Sequence, residues 1–133
     1  MNNKSFTLIE LIATLVILAL VMSIGAYSVI NVINATKREN YNLLIKNIKD
    51  AAQAYYQECR YGDITCDSNG NTSLGNLVNY GFLKGNSTDN DNFKLINPNT
   101  EESISECVIK ITSDNGVINV IAVEPTGSCP TSY

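Results

Sequence analysis

Apolar residues fill the first third of the chain almost without interruption. The run from Leu11 to Ile30 is broken by only four small residues, and residues 11–36 contain no charged side chain. A bilayer core of about 30 Å needs roughly 20 helical residues, so this run predicts a membrane-spanning helix. Hydropathy alone also leaves open a buried core helix and a cleaved secretory signal. A core helix is disfavoured because the rest of the chain could hardly enclose a rod that is apolar all round.

Beyond Lys37 the pattern becomes amphipathic without a break. The apolar positions recur at intervals of three and four, which is typical of one helix face: Tyr41, Leu44, Ile45, Ile48, Ala52, Tyr55 and Cys59. Neither proline nor glycine occurs between Ala26 and Arg60. We therefore predict one helix from about Phe6 to about Cys59, with a membrane-spanning first half and an amphipathic second half.

The remainder of the chain is rich in turn-forming residues and predicts short elements. They are a helix within Ser73–Leu83 ended by Gly81, an edge strand at Phe93–Ile96, and β-branched runs at Cys107–Thr112 and Val117–Val123 around the turn Ser113–Gly116. The predicted fold class is α+β, with a long N-terminal helix whose amphipathic half packs against a small antiparallel sheet.

Composition narrows the possible functions. The chain has no histidine and a formal net charge of −4, so His-dependent catalysis and most zinc sites are excluded. From Lys37 onward there are eight basic and twelve acidic residues, which again gives −4 and disfavours nucleic-acid binding by this part. We find no nucleophile–base set or cofactor motif, and predict a protein that is not an enzyme. Residues 89–92 match part of a calcium loop but lack its glycine and its distant glutamate, so a solvated acidic turn is preferred.

A short polar leader and a single acidic residue precede the apolar run. Met1–Ser5 contains one lysine, and Glu10 is the only acidic residue before the uncharged stretch. A charged residue costs about 2.5–3.5 kcal/mol at the centre of a bilayer and less near its surface. Glu10 is therefore a functional candidate. The simpler interpretation is a first-turn acid that complements the helix dipole, worth about 0.3–1 kcal/mol.

The segment Lys4–Ile12, read together with the apolar helix behind it, resembles the processing site of type IV pilins and pseudopilins. This resemblance implies that a prepilin peptidase cuts between Ser5 and Phe6 and methylates the new terminus at Phe6. It also implies that Glu10 pairs with the terminal ammonium of a neighbouring copy during filament assembly. One departure is Ser5, since the family usually has glycine before the cut.

The resemblance sets our expectations for organisation, partners and location. Residues 1–5 are the leader, 6–36 the transmembrane and filament-core helix, and 37–133 the amphipathic helix half with a pilin-like head. The expected partners are copies of this chain, other pilins, prepilin peptidase, the membrane and an assembly platform, with no cofactor or metal. We expect a single-pass cytoplasmic membrane protein with an extracytoplasmic head, and later a surface pilus or pseudopilus. The resemblance implies a structural subunit of a type IV pilus-like filament. The alternatives are a pseudopilin of a secretion or DNA-uptake machine and a signal-anchored monomeric binding module.

The four cysteines all follow the predicted membrane span, where an oxidising compartment permits disulfides. Three pairings are possible, and the sequence does not choose among them. We favour Cys59 with Cys66, closing a loop at the helix end, and Cys107 with Cys129. The second pair would resemble the C-terminal disulfide loop of many pilins.

Overall fold

A computed structural model describes residues 5–62, 64–89 and 92–133. The chain divides into two compact units, Met1–Thr36 and Lys37–Tyr133. Its elements in chain order are α1 (Leu8–Tyr61), β1 (Asn71–Ser73), α2 (Leu74–Asn79), β2 (Ser87–Asp89), β3 (Asn92–Lys94), β4 (Val108–Asp114) and β5 (Val117–Val123). The architecture is α+β and pilin-like, as the sequence predicts.

The long helix α1 is confirmed and has two kinds of surface. Within the first unit every residue from 5 to 36 is exposed. Within the second unit one face is buried, and it consists of Leu44, Ile48, Ala51, Ala52 and Tyr55. The helix continues to Tyr61, slightly past the predicted end, and Gly62 follows it with a φ of 80°. Glycine adopts this left-handed conformation without steric cost, so it ends the helix.

The head contains a three-stranded antiparallel sheet in the order β1-β4-β5. The β4–β5 hairpin is confirmed, and it turns through Asn115 and Gly116, which both have positive φ. Two successive positive φ values give a turn whose twist matches that of paired strands. Strand β1 is not predicted from the sequence. It is three polar residues long and pairs with β4 at Asn71–Lys110, Thr72–Ile109 and Ser73–Val108.

The short helix α2 begins at a cap that its own sequence supplies. The Ser73 hydroxyl accepts a hydrogen bond from the backbone N–H of Asn76 at 3.1 Å. Gly81 follows with a φ of 81°, at the predicted stop. The edge strand predicted at Phe93–Ile96 is displaced in the structure: β3 ends at Lys94, and Ile96 makes an isolated bridge with Ser103.

The core of the head lies between the buried face of α1 and the inner face of the sheet. Besides the α1 residues it contains Leu74, Leu77, Leu83, Leu95, Ile104, Cys107, Ile109 and Ile111. Tyr55 adds ring contacts to Tyr80 and Phe82, with centroids 6.0 and 5.9 Å apart. Aromatic pairs at this spacing add to the stabilisation that burial provides. The core is small, so other links help to hold the head together.

Candidate functional site

The bond between Ser5 and Phe6 lies just before α1. Residues 5–7 have no regular secondary structure, and all three are exposed. The Phe6 side chain is 75% exposed. A peptidase needs an accessible segment outside regular secondary structure, and this stretch meets that requirement. The rest of the predicted leader, Met1–Lys4, lies outside the described residues.

Glu10 lies in the first turn of α1 and contacts Thr7. The carbonyl of Thr7 accepts hydrogen bonds from the N–H groups of Glu10 and Leu11, at 3.1 and 3.2 Å, as an N-cap residue does. The Thr7 hydroxyl points toward the Glu10 carboxylate at 3.5 Å, a weak hydrogen bond. Threonine followed three residues later by glutamate is the sequence signature of a capping box, which we did not predict. In the structure, however, the contact joins the two side chains and not a side chain with a backbone N–H.

The apolar half of α1 presents hydrophobic side chains on all sides. Large apolar residues there are roughly half to three-quarters exposed, from 48% at Ile33 to 77% at Ile9. Among the described residues, α1 is the one helix long and apolar enough to cross a membrane. Isolated exposed leucines are ordinary on protein surfaces, but a continuous apolar surface of this length needs lipid or other protein around it.

Two disulfides link parts of the head. Cys59 near the end of α1 is bonded to Cys66 in the following loop, with Cα atoms 5.8 Å apart. Cys107, next to β4, is bonded to Cys129 near the end of the chain, with Cα atoms 5.7 Å apart. The described residues hold no group of three or more histidine, cysteine, aspartate or glutamate side chains that could bind a metal.

An ion pair fastens a loop of the head to α1. The Lys37 Nζ lies 2.8 Å from Glu101 Oε1. The hydrogen bond and positive charge of Lys37 lower the pKa of the Glu101 carboxyl. Glu101 has a φ of 62°, which is uncommon for a residue with a Cβ, and its N–H donates to the Asn97 carbonyl at 2.8 Å. The partners are 64 residues apart, so no local pattern predicts them.

The same loop also binds the C-terminal segment. Asn97 is buried, and its side-chain amide donates to the Ser128 carbonyl at 2.8 Å. Its side-chain oxygen accepts from the N–H of Asn99 at 2.9 Å. The Ser128 hydroxyl donates to Glu102. Together with the Cys107–Cys129 bond, these links fix the end of the chain to the head.

Comparison with known proteins identifies the N-terminal segment. Residues 1–26 match the family described as the prokaryotic N-terminal methylation motif, the type IV prepilin-like signal. No curated protein and no solved structure matches the chain. The motif supports a precursor of the type IV pilin or pseudopilin kind, a structural class rather than an enzymatic one. It implies processing by prepilin peptidase and assembly with other pilins.

Proposed function

We propose that this chain is a structural subunit of a type IV pilus-like filament. The precursor is held in the cytoplasmic membrane by the apolar half of α1, with the head outside. Prepilin peptidase then cuts it between Ser5 and Phe6 and methylates Phe6. The single observation that carries the proposal is the methylation motif at residues 1–26, which includes the start of α1, a helix whose first half is exposed and apolar on all sides.

Physical chemistry gives the apolar half of α1 two successive environments. In the precursor, lipid tails surround it, and its apolar side chains are exposed there without a cost in free energy. After cleavage it leaves the lipid, and packing against other copies of the same helix then keeps its apolar surface out of water. Each square ångström of apolar surface kept from water is worth about 25 cal/mol. A bundle of such helices therefore forms the core of the filament, and the heads cover it.

In this proposal Glu10 sets the alignment between neighbouring copies. Cleavage creates a positive ammonium at Phe6, at the positive end of the α1 dipole. A charge left unpaired inside the helix bundle costs several kcal/mol. Pairing of the Glu10 carboxylate with a neighbour's ammonium removes this cost only at one axial stagger. Glu10 thus specifies the register of the filament more than it adds net stability.

Mass spectrometry of the mature protein tests the processing step. We expect the N-terminal peptide to begin at Phe6 and to be one methyl group heavier than the unmodified peptide. Filaments containing the chain should appear in sheared surface fractions. A mature protein that still begins at Met1, or that occurs only as single copies in the membrane, would contradict the proposal and favour the signal-anchored binding module.

Paired substitutions separate the two roles of Glu10. If the carboxylate aligns copies, Glu10→Gln lowers the yield of sheared filaments and disturbs their subunit spacing, because the neutral amide cannot form an ion pair with an ammonium. Thr7→Ala is the matched control, since it removes the hydroxyl contact within the same chain and leaves the charge. Equal losses of filament yield in both variants would assign Glu10 to its contact with Thr7 at the helix start alone. Normal filaments from Glu10→Gln would disprove the register role.

The methylation motif also supports a pseudopilin of a secretion or DNA-uptake machine. Both kinds of assembly use the same processing and the same helix bundle, so the length of the product is the distinguishing measurement. Long filaments released by shearing support a pilus subunit. Short assemblies that stay in the cell envelope, together with loss of secretion or transformation when the chain is deleted, support a pseudopilin.

A further inference from the structure

The head carries an exposed apolar surface on its β-hairpin, which we call the hairpin face. On the side of β4 and β5 away from the core, Val108, Val117 and Ile121 are 37%, 62% and 52% exposed. The strand register places Lys110 beside Ile121 and Asp114 beside Val117 on this same side. The hairpin face therefore combines three exposed β-branched residues with one base and one acid.

The edge of the sheet next to this face is formed by β5. This strand is the last of the three-stranded sheet, and among the described residues no strand pairs with its outer side. Its seven residues include neither a charged residue nor a proline. Soluble proteins usually protect an edge of this length with lysine, proline or a bulge, because an open apolar edge associates with other chains. The hairpin face thus has the properties of a contact surface.

A groove lies in another part of the head. It encloses about 500 Å³ between α1 and the segments around Leu83 and Pro98. Its apolar lining includes Leu43, which is 55% exposed, and Ile96. We call this the α1 groove. None of the residues that line it belongs to the hairpin face.

The charges of the two surfaces complement each other. Lys84 and Glu101 line the α1 groove. On the hairpin face, Asp114 lies at the turn and Lys110 lies four residues back along β4, about 14 Å away at 3.4 Å per residue. In the groove the Glu101 carboxylate is already paired with Lys37 of its own chain, so Lys84 is the charge that the Asp114 carboxylate of the hairpin face can meet. Such pairing orients a contact and rejects wrong partners more than it adds affinity.

We infer that the hairpin face of one copy docks in the α1 groove of a second copy. Asp114 then faces Lys84, and Ile121 enters the apolar lining near Leu43. The inference rests on the proposed function, because it names the contact between heads of the same filament. Because the two surfaces differ, each copy can use both at once, and a contact of this kind repeats without closing. Pairing of two β5 edges would instead stop at a dimer.

Cross-linking of the full-length chain in assembled filaments tests this contact. A photo-reactive phenylalanine analogue replaces Ile121 in a minority of copies, and the remaining copies carry heavy nitrogen so that links between copies are recognised by mass. We expect links from position 121 to peptides around Leu43, Lys84 or Ile96 of a second copy. The same analogue at Tyr61, which is 82% exposed and belongs to neither surface, is the control and should give no such links.

Charge exchange provides a second test with its own rescue. Lys84→Glu and Asp114→Lys each place like charges across the contact, and each should lower the yield of sheared filaments about tenfold, the change that 1.4 kcal/mol produces. Either the double variant or co-expression of the two single variants should restore the yield to within about twofold, because opposite charges meet again. Lys49→Glu, an equal charge change on an exposed part of α1, is the control and should leave the yield unchanged.

The outcomes separate this inference from the proposed function. Filaments that form normally but cross-link elsewhere from position 121, or that respond equally to Lys84→Glu and Lys49→Glu, would overturn the contact and leave the filament role intact. An unmodified chain that forms no filaments would overturn the filament role, and this contact with it.

Discussion

At the scale of single residues, the N-terminal segment contains both the predicted cleavage site and the predicted assembly carboxylate. Ser5 and Phe6 flank an exposed peptide bond, and the Thr7 hydroxyl lies 3.5 Å from the Glu10 carboxylate. This contact is weak and lies within a single chain, and Glu10 remains exposed.

Ser5→Gly should speed the cleavage of the precursor. Glycine has no Cβ and adopts a wider range of φ, so the chain fits more easily into an enzyme cleft. Ser5→Ala is the matched control, because it removes the hydroxyl but keeps the Cβ. The measurement is the rate of leader loss in membranes mixed with a prepilin peptidase. Equal rates for serine and glycine would show that Ser5 is no handicap, and a fast alanine variant would implicate the hydroxyl instead.

Tyr133 gives the head a stability that depends on pH. Burial, with a smaller contribution from Tyr41, raises the pKa of the Tyr133 phenol to about 12. The folded head thus holds this proton to higher pH than the unfolded chain does. The free energy of unfolding is unaffected by this group below pH 10, and it falls as the pH rises from about 10 to about 12.

Tyr133→Phe should remove this alkaline loss. The Tyr133 hydroxyl is buried, and no hydrogen-bond partner for it occurs in the part of the chain that the structure describes. Removing it should also raise the free energy of unfolding at neutral pH by about 1 kcal/mol, since an unpaired buried hydroxyl is costly. Thermal unfolding of the detergent-solubilised chain at several pH values measures both effects. Tyr61→Phe is the exposed control, and identical behaviour of the two variants would contradict the assignment.

At the scale of elements, the two disulfides should contribute unequally. The chain-entropy estimate grows with loop length, and the bonds join residues 7 and 22 positions apart. It gives about 2.4 kcal/mol for the shorter loop and about 3.4 kcal/mol for the longer one. Replacing Cys107 and Cys129 together by alanine should therefore destabilise the head by about 1 kcal/mol more than replacing Cys59 and Cys66.

Denaturant unfolding of the two double variants measures this difference, and peptide mapping without reduction checks the pairing itself. We expect one peptide pair that contains Cys59 with Cys66 and one that contains Cys107 with Cys129. A link between Cys66 and Cys129 would overturn both the pairing and the stability order. Replacing both members of a pair avoids leaving a reactive thiol that could exchange with the other bond.

Local patterns predict most of the elements but not all of them. The spacing of apolar residues predicts α1, and the β-branched runs around a turn predict β4 and β5, because these signals lie within each segment. Strand β1 has no such signal: its three residues are polar, and it becomes a strand by pairing with β4. The bond between Lys37 and Glu101 joins residues 64 positions apart, which no periodicity can reveal. The contact between Thr7 and Glu10 could be predicted from the sequence, since the two residues are three positions apart.

At the scale of the whole molecule, the two compact units meet different physical demands. Residues 37–133 bury their own core and are held by disulfides and hydrogen bonds. Within one copy, no residue from 5 to 36 is buried. Stability of the head and association of the apolar helix should therefore respond to different substitutions. A change in the apolar half can test assembly while the head stays folded.

Gly25 provides that test, because an added Cβ there would meet nothing within 4 Å beyond its chain neighbours and the adjoining backbone of its own helix. Gly25→Leu should preserve membrane insertion, since leucine is favourable in lipid and forms helix better than glycine. In a bundle, however, small residues let helices approach closely, so the larger side chain should lower the filament yield. Gly25→Ala, a smaller change, should lower it less. The amount of chain in membranes and in sheared fractions measures the two environments separately. If both amounts fell together, insertion would be the step at fault, and if neither changed, Gly25 would lie away from the helix contacts of the filament.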